Sequence, residues 1–159
     1  GTGTAVYIDP TDGAYAPEGR LVEVDAASLR TRERLRFDFG LRLLRAVGMD
    51  TGRDAVTLVA ASSLPKAAGT ANAYANSYNF DAATRRLFVR VQRLEQGGEF
   101  ATVLMHALAH IKANPDDMSN DADPTFTAEF YRMLALSGQE TWNLAQEVQR
   151  LAHSVAGAD

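Results

Sequence analysis

The sequence predicts an α+β domain, a small mixed sheet with a motif-bearing central helix and further helices at the C-terminal end. Apolar runs of strand length fall in the first two thirds of the chain, the clearest helical pattern follows at residues 99–113, and helix-start signals recur after it. The 159 residues and 17.2 kDa suit one compact domain with a core of its own, and the linkers are too short to separate a second. Residues 1–159 are therefore expected to form a single domain. The opening Gly1-Thr2-Gly3-Thr4, without Met, suggests one excised from a longer protein.

Residues 5–8 and 21–24 read as short strands around a turn-rich loop holding Pro10, Gly13, Pro17 and Gly19. Residues 28–47 carry two patterns. Leu35, Phe37, Phe39, Leu41 and Leu43 alternate as in a strand, whereas Phe37, Leu41, Leu44 and Val47 recur at helical spacing. Length, the Arg and Leu content and Gly48 as a stop favour the helix. Residues 55–61 (AVTLVAA) form an apolar run suited to a strand buried on both faces. After a small-residue, Asn-rich stretch at 67–79, the segment from Arg86 to Leu94 sets Leu87, Val89 and Val91 against Arg86, Arg90 and Gln92, the alternation of an edge or half-exposed strand. Gly97-Gly98 precedes the motif helix, and Asn114-Pro115 ends it, because Pro disfavours helical geometry in the residue before it. Asp123 as cap and Pro124 at the first helical position start a helix to about residue 136. Ser137 with Glu140 resembles a capping box that opens a last helix, whose apolar stripe would be Trp142, Ala145, Val148, Ala152 and Val155.

Composition removes several functions. A net charge of -4 and a pI near 5.4 argue against binding nucleic acid through its phosphates. No apolar run reaches the roughly 20 residues that cross a bilayer, and no signal peptide is read at the start. With no cysteine there are no disulfides, no thiolate nucleophile and no cysteine-ligated metal. The expected setting is intracellular, in the cytoplasm. No phosphate-cradling glycine loop and no G-x-S-x-G elbow occur.

Of the three histidines, two lie four apart in the motif helix, His106-Ala107-Leu108-Ala109-His110. At about 100° per residue, four positions advance a helix by roughly 40°, so both imidazoles share one face one turn apart. That spacing lets two ring nitrogens reach one ion. Phe100, Leu104, Leu108 and Ile111 would pack the opposite face, with the small or polar Thr102, Ala109 and Ala113 beside the histidines leaving room for a ligand. The blander account is a pair of partly buried histidines satisfied by backbone or carboxylate. His153 reads as an exposed helix-end residue.

Here the sequence resembles the zincin metallopeptidases, whose motif is H-E-x-x-H on such a helix. VLMHALAHI matches the flanking apolar pattern and both histidines, and the order of elements over residues 30–136 is similar. The resemblance implies a zincin-like fold in which His106 and His110 bind zinc. It also implies that the residue between them should be the Glu that takes a proton from zinc-bound water. That residue is Ala107, and a methyl group accepts no proton. The third ligand implied by the family is either Asp116, six residues beyond His110, where Ala113 stands in place of the metzincin glycine, or Glu129 on the next helix, as in the gluzincins.

Two readings follow. In the first, the chain is a catalytically inactive, pseudopeptidase domain serving as a protein-interaction module of a larger intracellular protein. A peptide or protein partner would add a strand at Arg86 to Leu94, as zincins pair extended peptides with the strand before the motif helix. In the second, it is a zinc-dependent metallopeptidase seen as its Glu-to-Ala inactive variant. A third possibility is an unrelated α+β scaffold with structural histidines. The remaining signals have bland readings. The acidic loop at 117–123 alternates oxygen side chains as calcium loops do, but lacks their glycine and closing Glu and reads as a solvated capping loop. Arg30, Arg32, Arg34, Arg36, Arg42 and Arg45 read as the wet face of a helix. Tyr74, Tyr78 and Phe80, among Asn residues, read as loop or strand end.

Overall fold

A computed structural model describes residues 19–65, 74 and 76–157. It is a mixed α+β structure with three α-helices and a four-stranded mixed sheet among the described residues. The elements are β1 (Val22–Val24), α1 (Thr31–Ala46), β2 (Thr57–Ser63), β3 (Tyr78–Asp81), β4 (Arg86–Arg90), α2 (Gly97–Ala113) and α3 (Pro124–Gly157). The sheet order is β1-β2-β4-β3; β2 and β4 run parallel, and β1 and β3 lie antiparallel on the outside. The strand expected at residues 5–8 lies outside the described residues.

The ambiguous segment 28–47 is helical. Glu33 Oε1 accepts from the Arg30 N–H at 3.0 Å to cap its start. Its end is a Schellman turn: the Gly48 N–H reaches Arg45 O, the Met49 N–H reaches Leu44 O, both at 3.0 Å, and Gly48 supplies the required positive φ of 76°. Several of its arginines have partners within the domain. Arg34 pairs with Asp38, Arg36 donates to the Leu94 and Glu95 carbonyls, and Arg42 pairs with Glu140 and Glu147 of α3.

Two expectations are corrected. Residues 86–94 are not an edge strand. β4 ends at Arg90, where a 3₁₀ turn over Val91–Glu95 begins, and it pairs with β2 on one side and β3 on the other. Leu87, Phe88 and Val89 are all buried: Leu87 and Val89 face the helices, while Phe88 joins Ala61 and Leu64 in a small cluster of its own. The alternating arginines misled because Arg86 and Arg90 stand at the strand's two ends, where Arg86 reaches Glu23 at 2.7 and 3.0 Å and Arg90 reaches the Asn76 carbonyl. A partner strand has no free edge to join at Arg86 to Leu94.

The C-terminal region is likewise one helix rather than two. Ser137 opens no new helix, because it is buried and its carbonyl accepts from Thr141 Oγ1 at 2.9 Å in mid-helix fashion. Glu140 serves Arg42 instead of a cap. Beyond residue 140, α3 is largely exposed, with Trp142, Val148, Leu151 and Val155 about 60 % or more accessible, so the stripe expected there is not core among the described residues. No helix of the described residues is long and apolar enough to cross a membrane.

The main core joins α1, α2, the first half of α3 and one sheet face around Phe100, Leu104, Leu108 and Met133. Gly40 lets α1 approach the completely buried ring of Phe100. A Cβ at Gly40 would lie 2.7 Å from Phe100 Cζ, 2.8 Å from Cε1 and 3.2 Å from Leu58 Cδ2. Overpacking commonly costs about 1–3 kcal/mol, and the helical gain of Ala over Gly returns up to about 1 kcal/mol. Gly40→Ala is therefore expected to lower unfolding stability by about 1–2 kcal/mol, read from the urea midpoint. An unchanged or raised midpoint would refute the close approach.

Candidate metal centre

α2 is apolar on nearly every side, and residues from Val103 to Ile111 are buried without a break. Both histidines are therefore inside the protein, His106 at 4 % and His110 at 2 % exposure. The bare face expected beside Thr102, Ala109 and Ala113 is instead roofed by aromatic rings. Phe126 of α3 stacks on His110 with centroids 3.8 Å apart and planes 10° from parallel, and Phe130 lies 5.6 Å from His106. Tyr74 meets the His106 ring edge-on at 4.9 Å.

The third member of the group is Asp121. Its Oδ1 lies 3.0 Å from His106 Nε2 and 2.8 Å from His110 Nε2. One ligand atom from each of His106, His110 and Asp121 falls within 4.8 Å of the others. Neither Asp116 nor Glu129 belongs to this group. Asp116 is exposed and its N–H is tied to Asn114 Oδ1, while Glu129 pairs with Arg132 at 2.9 Å. The two histidines of the motif are brought together; the ligands implied for the third position are not.

Local chemistry explains why Asp121 is the carboxylate delivered. Asn114, Asp117, Asn120 and Asp123 each accept, through a side-chain oxygen, from the N–H two residues on: 3.2 Å to Asp116, 3.0 Å to Ser119, 2.9 Å to Ala122 and 2.9 Å to Thr125. These turns fold the loop by satisfying its backbone from within. The carboxylate of Asp121 turns toward α2. The turn-forming residues recur at every third position, which leaves both Asp116 and Asp121 outside the series; the path of the loop brings Asp121 to the histidines. Alternate oxygens had suggested a calcium loop, but Asp117 and Asp123 accept from backbone N–H groups and Ser119 donates to Asp117. The expected capping role holds for Asp123 at the start of α3.

The donor set fits a divalent transition ion. Two neutral imidazoles and a carboxylate are an ordinary set for zinc. Ligand atoms about 2.0–2.1 Å from a tetrahedral ion lie about 3.3 Å from one another. The Nε2-to-Oδ1 distances of 3.0 and 2.8 Å need to open by only a few tenths of an ångström. This group could hold a metal ion.

Ala107 is wholly buried in the main hydrophobic cluster. His153 is exposed near the far end of α3, away from the group. A comparison with protein-family models, with curated proteins and with solved structures finds no match to this chain.

Burial pushes His106 below its ordinary 6.5; the Asp121 charge pulls upward and His110 adds to the lowering. An unfolded chain thus takes up this proton more readily than the folded one. The resulting stability is complete above pH 6.5 and is lost as pH falls from there through the lower folded value. In chelator-treated protein, the urea midpoint should be level above about pH 7 and decline below 6.5, before ordinary carboxylates titrate. A midpoint unchanged down to about pH 5 would contradict a ring held neutral by its surroundings.

Proposed function

We propose that this chain is a zincin-like domain without peptidase activity, in which His106, His110 and Asp121 hold a zinc ion that clamps the acidic loop to the central helix. The observation that carries the proposal is the convergence of both Nε2 atoms on one carboxylate oxygen inside an aromatic enclosure. A zinc ion bound there would supply Lewis acidity and would lower the pKa of any water it held. The described residues around the group supply little else for hydrolysis. Position 107 offers a methyl group within packed hydrocarbon, and general-base help is commonly worth about 10²–10⁴ in rate. What remains useful in such a centre is its grip: three ligands from α2 and the loop before α3 fasten two segments that otherwise meet through side-chain packing.

An interaction role is kept in this reading, with its surface moved. β4 is interior, so strand addition falls to β3, whose outer edge pairs with no strand among the described residues. The competing reading, a metallopeptidase carrying Ala in place of its Glu, draws on the same histidines.

Zinc content after dialysis, with His110→Ala and Asp121→Ala beside the parent chain, tests the clamp. About one zinc per chain is expected, a clear rise in melting temperature with zinc, and loss of both effects in either variant. A parent chain that takes up neither zinc nor cobalt refutes the centre. Ala107→Glu separates the two readings. A buried carboxylate without a partner should destabilise the domain by a few kcal/mol and leave peptide hydrolysis at background. Chelator-sensitive turnover by a well-folded Ala107→Glu protein would instead establish a disabled enzyme.

A further inference from the structure

A neutral imidazole has two nitrogens and one proton, and a metal needs the nitrogen without it. Both neighbours of the His106 ring nitrogens are defined. Nε2 faces Asp121, and Nδ1 faces the Tyr78 hydroxyl at 3.5 Å. Tyr78 is 6 % exposed and His106 4 %, so the two groups face each other out of reach of bulk water, at the long end of hydrogen-bond distance. The backbone fixes it there. Tyr78 opens β3 directly opposite Val89, and Phe80 lies opposite Leu87. Side chains opposite one another across an antiparallel pair share a face, and Leu87 and Val89 belong to the core that surrounds α2. The ring itself has little freedom to turn, with Tyr74, Phe126 and Phe130 all in edge contact with it at 4.9–5.6 Å.

From this geometry we infer that Tyr78 is a positioning residue for the metal centre, its hydroxyl oxygen accepting the Nδ1 proton of His106 and thereby holding the Nε2 lone pair toward Asp121 and the ion. The inference rests on the zinc reading of the His-His-Asp group and adds to it the residue that sets its tautomer. A hydroxyl suits the position because it both donates and accepts. It can donate to Nδ1 when Nε2–H is bonded to Asp121, and rotate to accept when the proton moves to Nδ1. Phe at this position can do neither, and zinc binding would then strand a buried N–H. Partners of this kind, bonded to the far nitrogen of a metal-binding histidine, are typically worth 10–100-fold in metal affinity.

The test compares Tyr78→Phe with the parent chain by competition for zinc against a chromophoric chelator. It is paired with long-range ¹⁵N–¹H spectra of the histidine rings in the zinc-loaded parent protein. The expected results are a 10–100-fold weaker zinc affinity for Tyr78→Phe, a folded metal-free protein whose melting temperature is lower by a few degrees, and a His106 ring protonated at Nδ1 with zinc on Nε2. Affinity within about twofold of the parent's overturns the role of Tyr78 and leaves the zinc centre standing. If Tyr78→Phe fails to fold, the spectra decide alone, since zinc on Nδ1 or a proton on Nε2 of His106 also overturns it. A parent chain that binds no zinc removes the centre and this inference together.

Discussion

Everything around α2 answers one constraint: two imidazoles have been placed inside a helix that is covered on all sides. A buried polar ring must find partners, because leaving a nitrogen unsatisfied costs about 1–3 kcal/mol, and charging it there costs more. The surrounding elements meet that demand. The loop after α2 brings a carboxylate to both Nε2 atoms, β3 brings a hydroxyl to one Nδ1, and the first turns of α3 lay Phe126 and Phe130 over the rings. The loop, the outer strand and the C-terminal helix are thus held at the same place by the same pair of side chains. Hydrocarbon burial gives the domain its bulk stability, but it is the polar group that specifies which segment goes where.

The loop shows how short-range chemistry delivers a long-range contact. Side chains at every third position close turns on their own backbone, so the chain between α2 and α3 needs few tertiary bonds to keep its shape. A loop organised in this way can present Asp121 with a smaller loss of conformational entropy than a floppy one would suffer. Asp117 fits the same description: its carboxyl is held below the usual range by the Ser119 hydroxyl and N–H, with a smaller contribution from His110 nearby.

Much of this was legible in the sequence where a pattern was local. The motif helix, its stop at Asn114-Pro115, the β2 run and the cap at Asp123 depend on neighbours within a turn or two. What failed depended on distant residues. Alternation in residues 86–94 could not reveal that Phe88 meets its own small cluster on the far face of the sheet. Ser137 with Glu140 looks like a helix start until Arg42 of α1 is seen to pair with Glu140 and Glu147 of α3. β3 is short, and Tyr78-Asn79-Phe80-Asp81 declares itself a strand only beside β4. The site was half readable for the same reason. Helical spacing fixes His106 against His110, whereas the third member is chosen by the path of a loop.

Ala107 carries the last step. The two histidines sit roughly 40° apart on the helix, and residue 107 lies about 60–100° round from them, on the side that meets the main core rather than the carboxylate. That offset belongs to the second position of any H-x-x-x-H helix; what sets Ala107 apart is its packed hydrocarbon, in which a carboxylate would be partly desolvated. The methyl group asks for nothing of the kind and fills the space that the neighbouring core residues leave. The site therefore combines a ligand set that could hold an ion with aromatic surroundings that keep its side chains in place.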